Sequence, residues 1–355
     1  MSATKINHLN SGLILASCLL AFYIPFELFL ISYAVLGPLH YLTEISWLHN
    51  KSFFTARSND YRILVALCVL MVGFTFGQDI IARAVGFTSS GHLNLMEPWR
   101  SLLAFLGNFT NSITLAAFTA ALIMMAIKEK HHRIIPYFVL IVLVILLNYQ
   151  ADTPIFFYLL LFAFFLPTLI HVYIFTGAFM LFGALKSRSL SGMLSIGLFA
   201  LCSISFVLIV PDSTGQQLSQ YTQDSYLASI FQVNYRIFQF TNPETLSLGN
   251  VLYSDTGLVI SRFIAFSYTY HYLNWFSKTS IIGWHNISNL RLATVVGLWL
   301  LAISLYAYDY KVGLEALFFL SLLHVYLEFP LNWLSLKGIG EETFDIVQSR
   351  SFAKH

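Results

Sequence analysis

The stretch IFFYLLLFAFFLPTLIHVYIFTGAFMLFG, residues 155–183, decides the class of this protein. It contains no Asp, Glu, Lys or Arg, and it is longer than the ~20 mainly apolar residues that a transmembrane helix needs. We therefore predict a membrane-spanning helix here. Pro167 lies within the stretch and predicts a kink that frees backbone carbonyl groups, a feature common around intramembrane sites.

The composition extends this prediction to the whole chain. Of its 355 residues, 57% are hydrophobic and only 10% are charged, whereas soluble domains average about 25% charged residues. Nineteen basic and 17 acidic residues cannot supply the polar surface of a soluble fold this large. The net charge of +2 provides no basic surface for a nucleic-acid partner. The three cysteines lack CxxC spacing, so we predict neither a disulfide framework nor a zinc–thiolate site.

The predicted fold is an all-α, polytopic integral membrane bundle of about nine transmembrane helices, forming a single membrane domain over residues 1–355. The candidate spans are approximately 13–36, 62–82, 101–126, 134–150, 155–183, 190–210, 258–277, 291–309 and 312–334. The long connection 211–257 is polar at its start and then apolar at helical spacing. This pattern predicts an external loop with an interfacial helix.

Basic residues in the loops predict the orientation of the chain. Thirteen lie on one side of the predicted spans and five, including Lys5, lie on the other. Because cytoplasmic loops carry the excess of Lys and Arg, we expect the amino terminus outside and the carboxyl terminus inside. The predicted location is the bacterial inner (cytoplasmic) membrane.

Ionisable side chains inside a bilayer are costly unless they are paired, solvated or bound to metal, so each is a candidate functional residue. The candidates are Glu27 in the first predicted span, His171 in the fifth, His271 in the seventh, and His324 with Glu328 in the ninth. Counted from the outer start of each span at ~1.5 Å per residue, Glu27 and the three histidines lie within about 6 Å of one another in depth. This agreement predicts that they converge.

Two histidine–carboxylate pairs have the i, i+4 spacing of one helix face, His324 with Glu328 and His40 with Glu44. Such a pair suits a metal-ligand set, a histidine oriented by its neighbour, or a hydrogen-bonded couple that only links helices. Since Gly37-Pro38 is expected to end the first span, His40 and Glu44 are predicted at the cytoplasmic edge, closing the site.

We therefore predict a transition-metal site with His171, His271 and His324 as imidazole ligands and Glu328 or Glu27 as the carboxylate. Imidazoles and carboxylates without thiolates favour iron, with zinc or copper as alternatives. In the lipid setting this favours a metalloenzyme, namely a non-haem oxygenase, desaturase or hydroxylase. Its partners would be a lipid, carotenoid or other isoprenoid substrate and an electron donor.

The layout, with isolated histidines on several spans, resembles that of the membrane-embedded carotenoid dioxygenases. The resemblance implies no residue roles, and the HxxxH and HxxHH boxes of membrane desaturases are absent. No HExxH, GxSxG, P-loop or GxGxxG motif supports a metalloprotease, a serine hydrolase or a nucleotide-driven protein.

Two other functions stay open at this point. A proton-coupled transporter would use the intramembrane histidines and glutamates as a relay. A haem-binding electron-transfer protein would use two intramembrane histidines as axial ligands. Nothing in the sequence indicates the oligomeric state.

Overall fold

The structure, a computed structural model, describes residues 3–51, 60–86, 101–102, 105, 107–149, 153–209 and 218–352. All regular elements in these ranges are helical, and none is a strand. The α-helices, in chain order, are α1 (Ala3–Tyr23), α2 (Pro25–Ile31), α3 (Gly37–Lys51), α4 (Tyr61–Gly86), α5 (Thr110–Ala126), α6 (Ile134–Tyr149), α7 (Pro154–Phe165), α8 (Thr176–Lys186), α9 (Leu190–Leu208), α10 (Gln220–Ser229), α11 (Phe231–Thr241), α12 (Leu248–Tyr253), α13 (Asp255–Ser277), α14 (Thr279–Ile282), α15 (Asn289–Tyr308) and α16 (Tyr310–Phe352). Two π-helical segments join them, π1 (Ser32–Leu36) and π2 (Leu166–Phe175).

The length and composition of the helices confirm a polytopic helical membrane protein. Among the described residues, seven helical segments are long and apolar enough to cross a bilayer, and two shorter apolar helices cover 61–77 and 110–126. Large apolar side chains are exposed along α6, α9 and α15, as expected where lipid rather than water covers the surface. Which membrane contains the protein stays a prediction.

The helices form two compact units. The first comprises Met1–Ser46, Thr168–Leu317 and Leu331–His355, and the second comprises Trp47–Pro167 and Phe318–Pro330. That the two units form the predicted single membrane domain stays a prediction.

The first predicted span, 13–36, consists of parts of two helices. The chain turns at Ile24, whose backbone is non-helical (φ −137°, ψ 56°), and Pro25 then starts α2. Proline suits the first position of a helix because its missing N–H needs no partner there. The two resulting spans are Thr4–Tyr23 and Pro25–His49. Hydropathy could not show this turn, because residues on both sides of it are predominantly apolar.

The two helices around this turn run in opposite directions along α13. Helix α1 is antiparallel to α13, whereas the continuous helix α2–π1–α3 is parallel to it. The hydrogen bonds that show these directions are Tyr270–Asn10 and Arg262–Phe22 for α1, and Ser32–Thr269 and Trp275–Thr43 for the second helix. The beginning of the chain is therefore a helical hairpin.

The hairpin changes the predicted position of the amino terminus. The Asn7 side-chain amide donates to the hydroxyl groups of Ser189 and Ser191, each at 3.0 Å, so α1 begins beside the basic turn after α8. The sequence predicted this turn on the cytoplasmic side and the amino terminus on the external side. Because they are in contact, the turn and the amino terminus lie on the same side of the membrane. Moving Lys5 changes the division of loop charges from 13 and 5 to 14 and 4, so the same rule now favours an inside amino terminus.

Helix α13 is largely buried within the first unit. Sixteen of its 23 residues are buried, because α1, α2, α9, α11 and α12 all pack against it. Its polar residues therefore face protein rather than lipid, which explains how the predicted span 258–277 can carry so many of them.

The connection 211–257 is helical where the structure describes it. It contains α10, α11 and α12, and the buried Tyr226 ring packs on Phe26 of α2 with centroids 4.8 Å apart. This segment covers the end of the unit at which the α1–α2 turn lies. Its external, interfacial location stays a prediction.

The second unit is built from α4, α5, α6, α7 and residues 318–330 of α16. Its most buried charges are Asp60 and Arg133, which form an ion pair at 2.8 Å between the start of α4 and the turn before α6.

Candidate metal centre

Three buried histidines meet inside the first unit. They come from three separate helices: His40 from α3, His171 from π2 and His271 from α13. Each histidine offers one ring nitrogen, and these three nitrogens lie within 4.8 Å of one another. Their exposed fractions are 2%, 2% and 7%, so the cluster is shielded from solvent.

Departures from regular α-helix precede two of these histidines. The π1 segment comes directly before α3 and ends four residues before His40, and His171 lies inside π2. In π2 the backbone of Thr168, next to Pro167, is non-helical (φ −110°, ψ −108°). The proline removes one backbone donor and crowds the preceding turn, which accounts for the kink. Single π-helical turns inside helices are frequent at functional sites.

His271 occupies the middle of the cluster. Its ring centroid lies 4.7 Å from that of His40 and 4.8 Å from that of His171. The Nε2 atoms of His271 and His40 are 3.1 Å apart. This separation fits a direct hydrogen bond, in which one ring donates and the other accepts, and it also fits two ligands of one small cation.

Two oxygen-bearing side chains adjoin the histidines. Glu44, one turn after His40, has its Oε2 atom 3.1 Å from His40 Nε2, and both side chains are 2% exposed. On the other side of the cluster, the Thr176 hydroxyl lies 2.8 Å from His271 Nδ1. The cluster therefore contains three imidazoles, one carboxyl group and one hydroxyl group.

Aromatic residues enclose the cluster. The rings of Tyr272 and Trp275 lie 5.3 and 5.5 Å from the His40 ring. The Trp275 indole N–H donates to Thr43 on α3 at 3.0 Å, and this bond ties α13 to the helix that carries His40. Such surroundings exclude water and strengthen electrostatic interactions with any bound ion.

The donor set fits a transition metal. Ligand nitrogens about 2.1 Å from one tetrahedral ion lie roughly 3.4 Å from each other, and the Nε2 atoms of His40 and His271 are already 3.1 Å apart. No thiolate belongs to the set, since none of the three buried free cysteines, Cys18, Cys68 and Cys202, is among the clustered residues. Nitrogen and carboxylate ligands without sulfur suit iron, zinc or copper.

The structure brings together His40, Glu44, His171 and His271 from the predicted site. It does not place His40 and Glu44 at a wet edge, because the span continues from Pro25 to His49 and both side chains are buried. Sequence reasoning misplaced them because Gly37-Pro38, a common end of a helix, here starts α3 directly after π1 without interrupting the span.

Glu27 does not belong with these residues. It lies in the first turn of α2, beside the hairpin turn, and thirteen residues before His40 on one continuous helix. At ~1.5 Å per residue this is about 20 Å from His40. Its predicted depth assumed that the first span began at residue 13, so the error follows directly from the missed turn.

His324 and Glu328 lie on α16 in the second unit. Both are buried, with exposed fractions of 5% and 6%. Their role as ligands of the same ion stays a prediction.

Thr176 was missed by sequence reasoning. Its only signal was a hydroxyl residue in an apolar stretch, five positions after His171, and helical periodicity alone gives that spacing no meaning.

Comparison of the chain with protein-family models, curated proteins and solved structures finds no match.

Proposed function

We propose that this protein is an integral-membrane metalloprotein whose buried histidines hold one transition-metal ion. The observation that carries the proposal is the convergence of His40, His171 and His271 from three helices in one shielded cluster. His324 is proposed as the fourth imidazole, and Glu44 or Glu328 as the carboxylate.

The cost of burying polar groups supports a cation rather than a purely structural cluster. A neutral imidazole has one donor and one acceptor nitrogen, and one ring nitrogen of each of the three histidines lies within 4.8 Å of the others. A cation binds the acceptor nitrogen of every ring at once and offsets the loss of hydration. Imidazole is also far cheaper to place in a membrane than an ionised side chain.

In its specific form the proposal is a non-haem oxygenase, desaturase or hydroxylase with iron. A bound iron would supply one-electron and oxygen chemistry, whereas the protein supplies ligands, a dry enclosure and access from the lipid phase. A lipid, carotenoid or other isoprenoid is the proposed substrate class, since the wall of the cluster is aromatic and the outer surfaces of the helices are apolar. An external electron donor completes the proposal.

A second candidate function is a proton relay, and one observation favours it. Glu44, His40, His271 and Thr176 form a continuous chain of polar contacts of 3.1, 3.1 and 2.8 Å. A chain of this kind can pass protons between neighbouring groups within a membrane. The two functions differ in whether the cluster needs a metal.

Metal analysis of the purified protein tests the proposal. The protein is prepared in lipid nanodiscs and its metals are quantified by mass spectrometry, beside an absorption spectrum. We expect close to one equivalent of a transition metal and no Soret band, because haem is not the proposed cofactor.

Matched variants separate the site from incidental binding. His271→Ala should lose most of the metal while the protein still inserts, whereas His132→Ala, at an exposed turn, should retain it. His324→Ala tests the proposed fourth ligand in the same way. If His271→Ala keeps its metal, or if metal-free protein in liposomes transports protons and Glu44→Gln abolishes the transport, the metalloprotein proposal is wrong.

A further inference from the structure

The Thr176 hydroxyl group contacts one of the cluster histidines directly. Its Oγ1 atom lies 2.8 Å from Nδ1 of His271, and the side chain is 2% exposed. The opposite nitrogen of the same ring, Nε2, faces His40. Thr176 therefore contacts His271 on the side away from His40.

We infer that Thr176 is a positioning residue that selects which nitrogen of His271 binds metal. The inference rests on the proposed function. A histidine that binds metal through one nitrogen donates its other ring N–H to an oxygen atom, and this bond sets the tautomer and the ring orientation. With Thr176 accepting from Nδ1–H, Nε2 has no proton and points its lone pair towards His40 and the centre of the cluster.

The π-helical segment explains how neighbouring residues of one chain segment supply both the proposed ligand His171 and the hydrogen-bond partner of His271, Thr176. His171 and Thr176 are five residues apart. In a regular α-helix, five residues are about 1.4 turns, which would point the two side chains to different faces. In a π-helix the backbone hydrogen bonds join residues i and i+5, and this wider turn brings side chains at that spacing closer to one face. Because π2 covers residues 166–175, His171 and Thr176 can both face His271.

The alternative is that Thr176 only packs the helices together. A structural hydroxyl would affect stability, whereas a positioning hydroxyl also affects metal affinity and ligand geometry. Affinity and spectrum for an added metal therefore distinguish the two roles without any assay of enzyme activity.

The test uses metal-depleted protein in nanodiscs titrated with Co²⁺, whose visible absorption reports ligand geometry. Thr176→Val keeps the shape of the side chain and removes the hydroxyl, and Thr176→Ser restores it. We expect Thr176→Val to bind Co²⁺ about 10–100-fold more weakly, with an altered spectrum. Thr176→Ser should recover most of the affinity and the original spectrum.

A matched control is Thr269→Val on α13. Thr269 is also buried and also makes one side-chain hydrogen bond at 2.8 Å, to Ser32, but it does not contact the three histidines through that bond. The Thr269→Val variant should bind Co²⁺ with the same affinity and spectrum as the unaltered protein. Equal affinity and an identical spectrum for Thr176→Val and the unaltered protein would overturn the inference and leave the proposed function standing.

Failure of the proposed function gives a different result, in which the unaltered protein itself binds no Co²⁺. If Thr176→Val does not fold, a second measurement on the unaltered protein tests whether His271 has the tautomer that the inference requires. Nitrogen NMR of ¹⁵N-histidine-labelled, metal-free protein should show His271 protonated at Nδ1. Protonation at Nε2 would contradict the inference.

Discussion

Loss of the buried Asp60 carboxylate should destabilise the second unit strongly. Asp60 Oδ2 accepts from Arg133 Nη1 at 2.8 Å, and both side chains are 4% exposed. The same guanidinium donates to the carbonyl oxygens of Met124, in the last turn of α5, and of Ile127 and Lys128 just after it, where a helix end leaves carbonyl groups without helical partners. Arg133 thus joins three parts of the unit and depends on Asp60 for its counter-charge.

The magnitude follows from the geometry. At 2.8 Å and an effective dielectric constant of about 20, the attraction of an ion pair is about 6 kcal/mol. The cost of desolvating both ions offsets much of it, and breaking one partner of a buried pair typically costs about 3–5 kcal/mol. We expect Asp60→Asn to lower the free energy of unfolding by that amount, since Asn keeps the size of the side chain and removes the charge.

The assay is unfolding in mixed micelles with increasing SDS, followed by circular dichroism. Glu341→Gln is the matched control, because Glu341 pairs with Lys337 at 3.6 Å with both side chains 65% exposed. Exposed pairs of this kind contribute about 0.5 kcal/mol or less. Arg133→Met and the double variant complete a double-mutant cycle. The double variant should lose less stability than the sum of the two single losses, by more than about 1 kcal/mol.

Two results would refute this reasoning. One is a decrease in the free energy of unfolding for Asp60→Asn that is no larger than the decrease for Glu341→Gln. The other is additivity of Asp60→Asn and Arg133→Met within about 0.5 kcal/mol, which is the range expected for independent sites.

Two further predictions concern the first unit. Reporter fusions at the amino terminus and at the turn after α8 should report the same side of the membrane, because Asn7 bonds Ser189; opposite sides would contradict the hairpin. Gly192→Val should destabilise the protein by about 1–3 kcal/mol through overpacking, since a Cβ atom there would lie 2.8 Å from the Ala184 Cβ atom. Gly197→Val on the same helix has nothing within 4 Å of that position and should be tolerated better in the same unfolding assay.

Composition and hydropathy determined the class of this protein. A chain with 10% charged residues has to cover its surface with lipid, and only helices satisfy their own backbone groups there. Burial of His171, His271 and His324 was predictable for the same reason, because an ionisable residue in such a chain has few places in which to lie. These inferences depend on residue type and sequence distance alone.

Only the tertiary structure showed three other features. These are the turn at Ile24, the burial of His40 and Glu44 beside the histidine cluster, and the distance of Glu27 from that cluster. Predominantly apolar residues lie on both sides of the turn, so one long span and two antiparallel spans give similar hydropathy. The contact of Thr176 with His271 depends in addition on the π-helical register of residues 166–175, which brings i and i+5 to one face. Hydropathy records how apolar a residue is, whereas the direction of a helix and the facing of its side chains are decided by the packing of α1, α2 and α3 against α13.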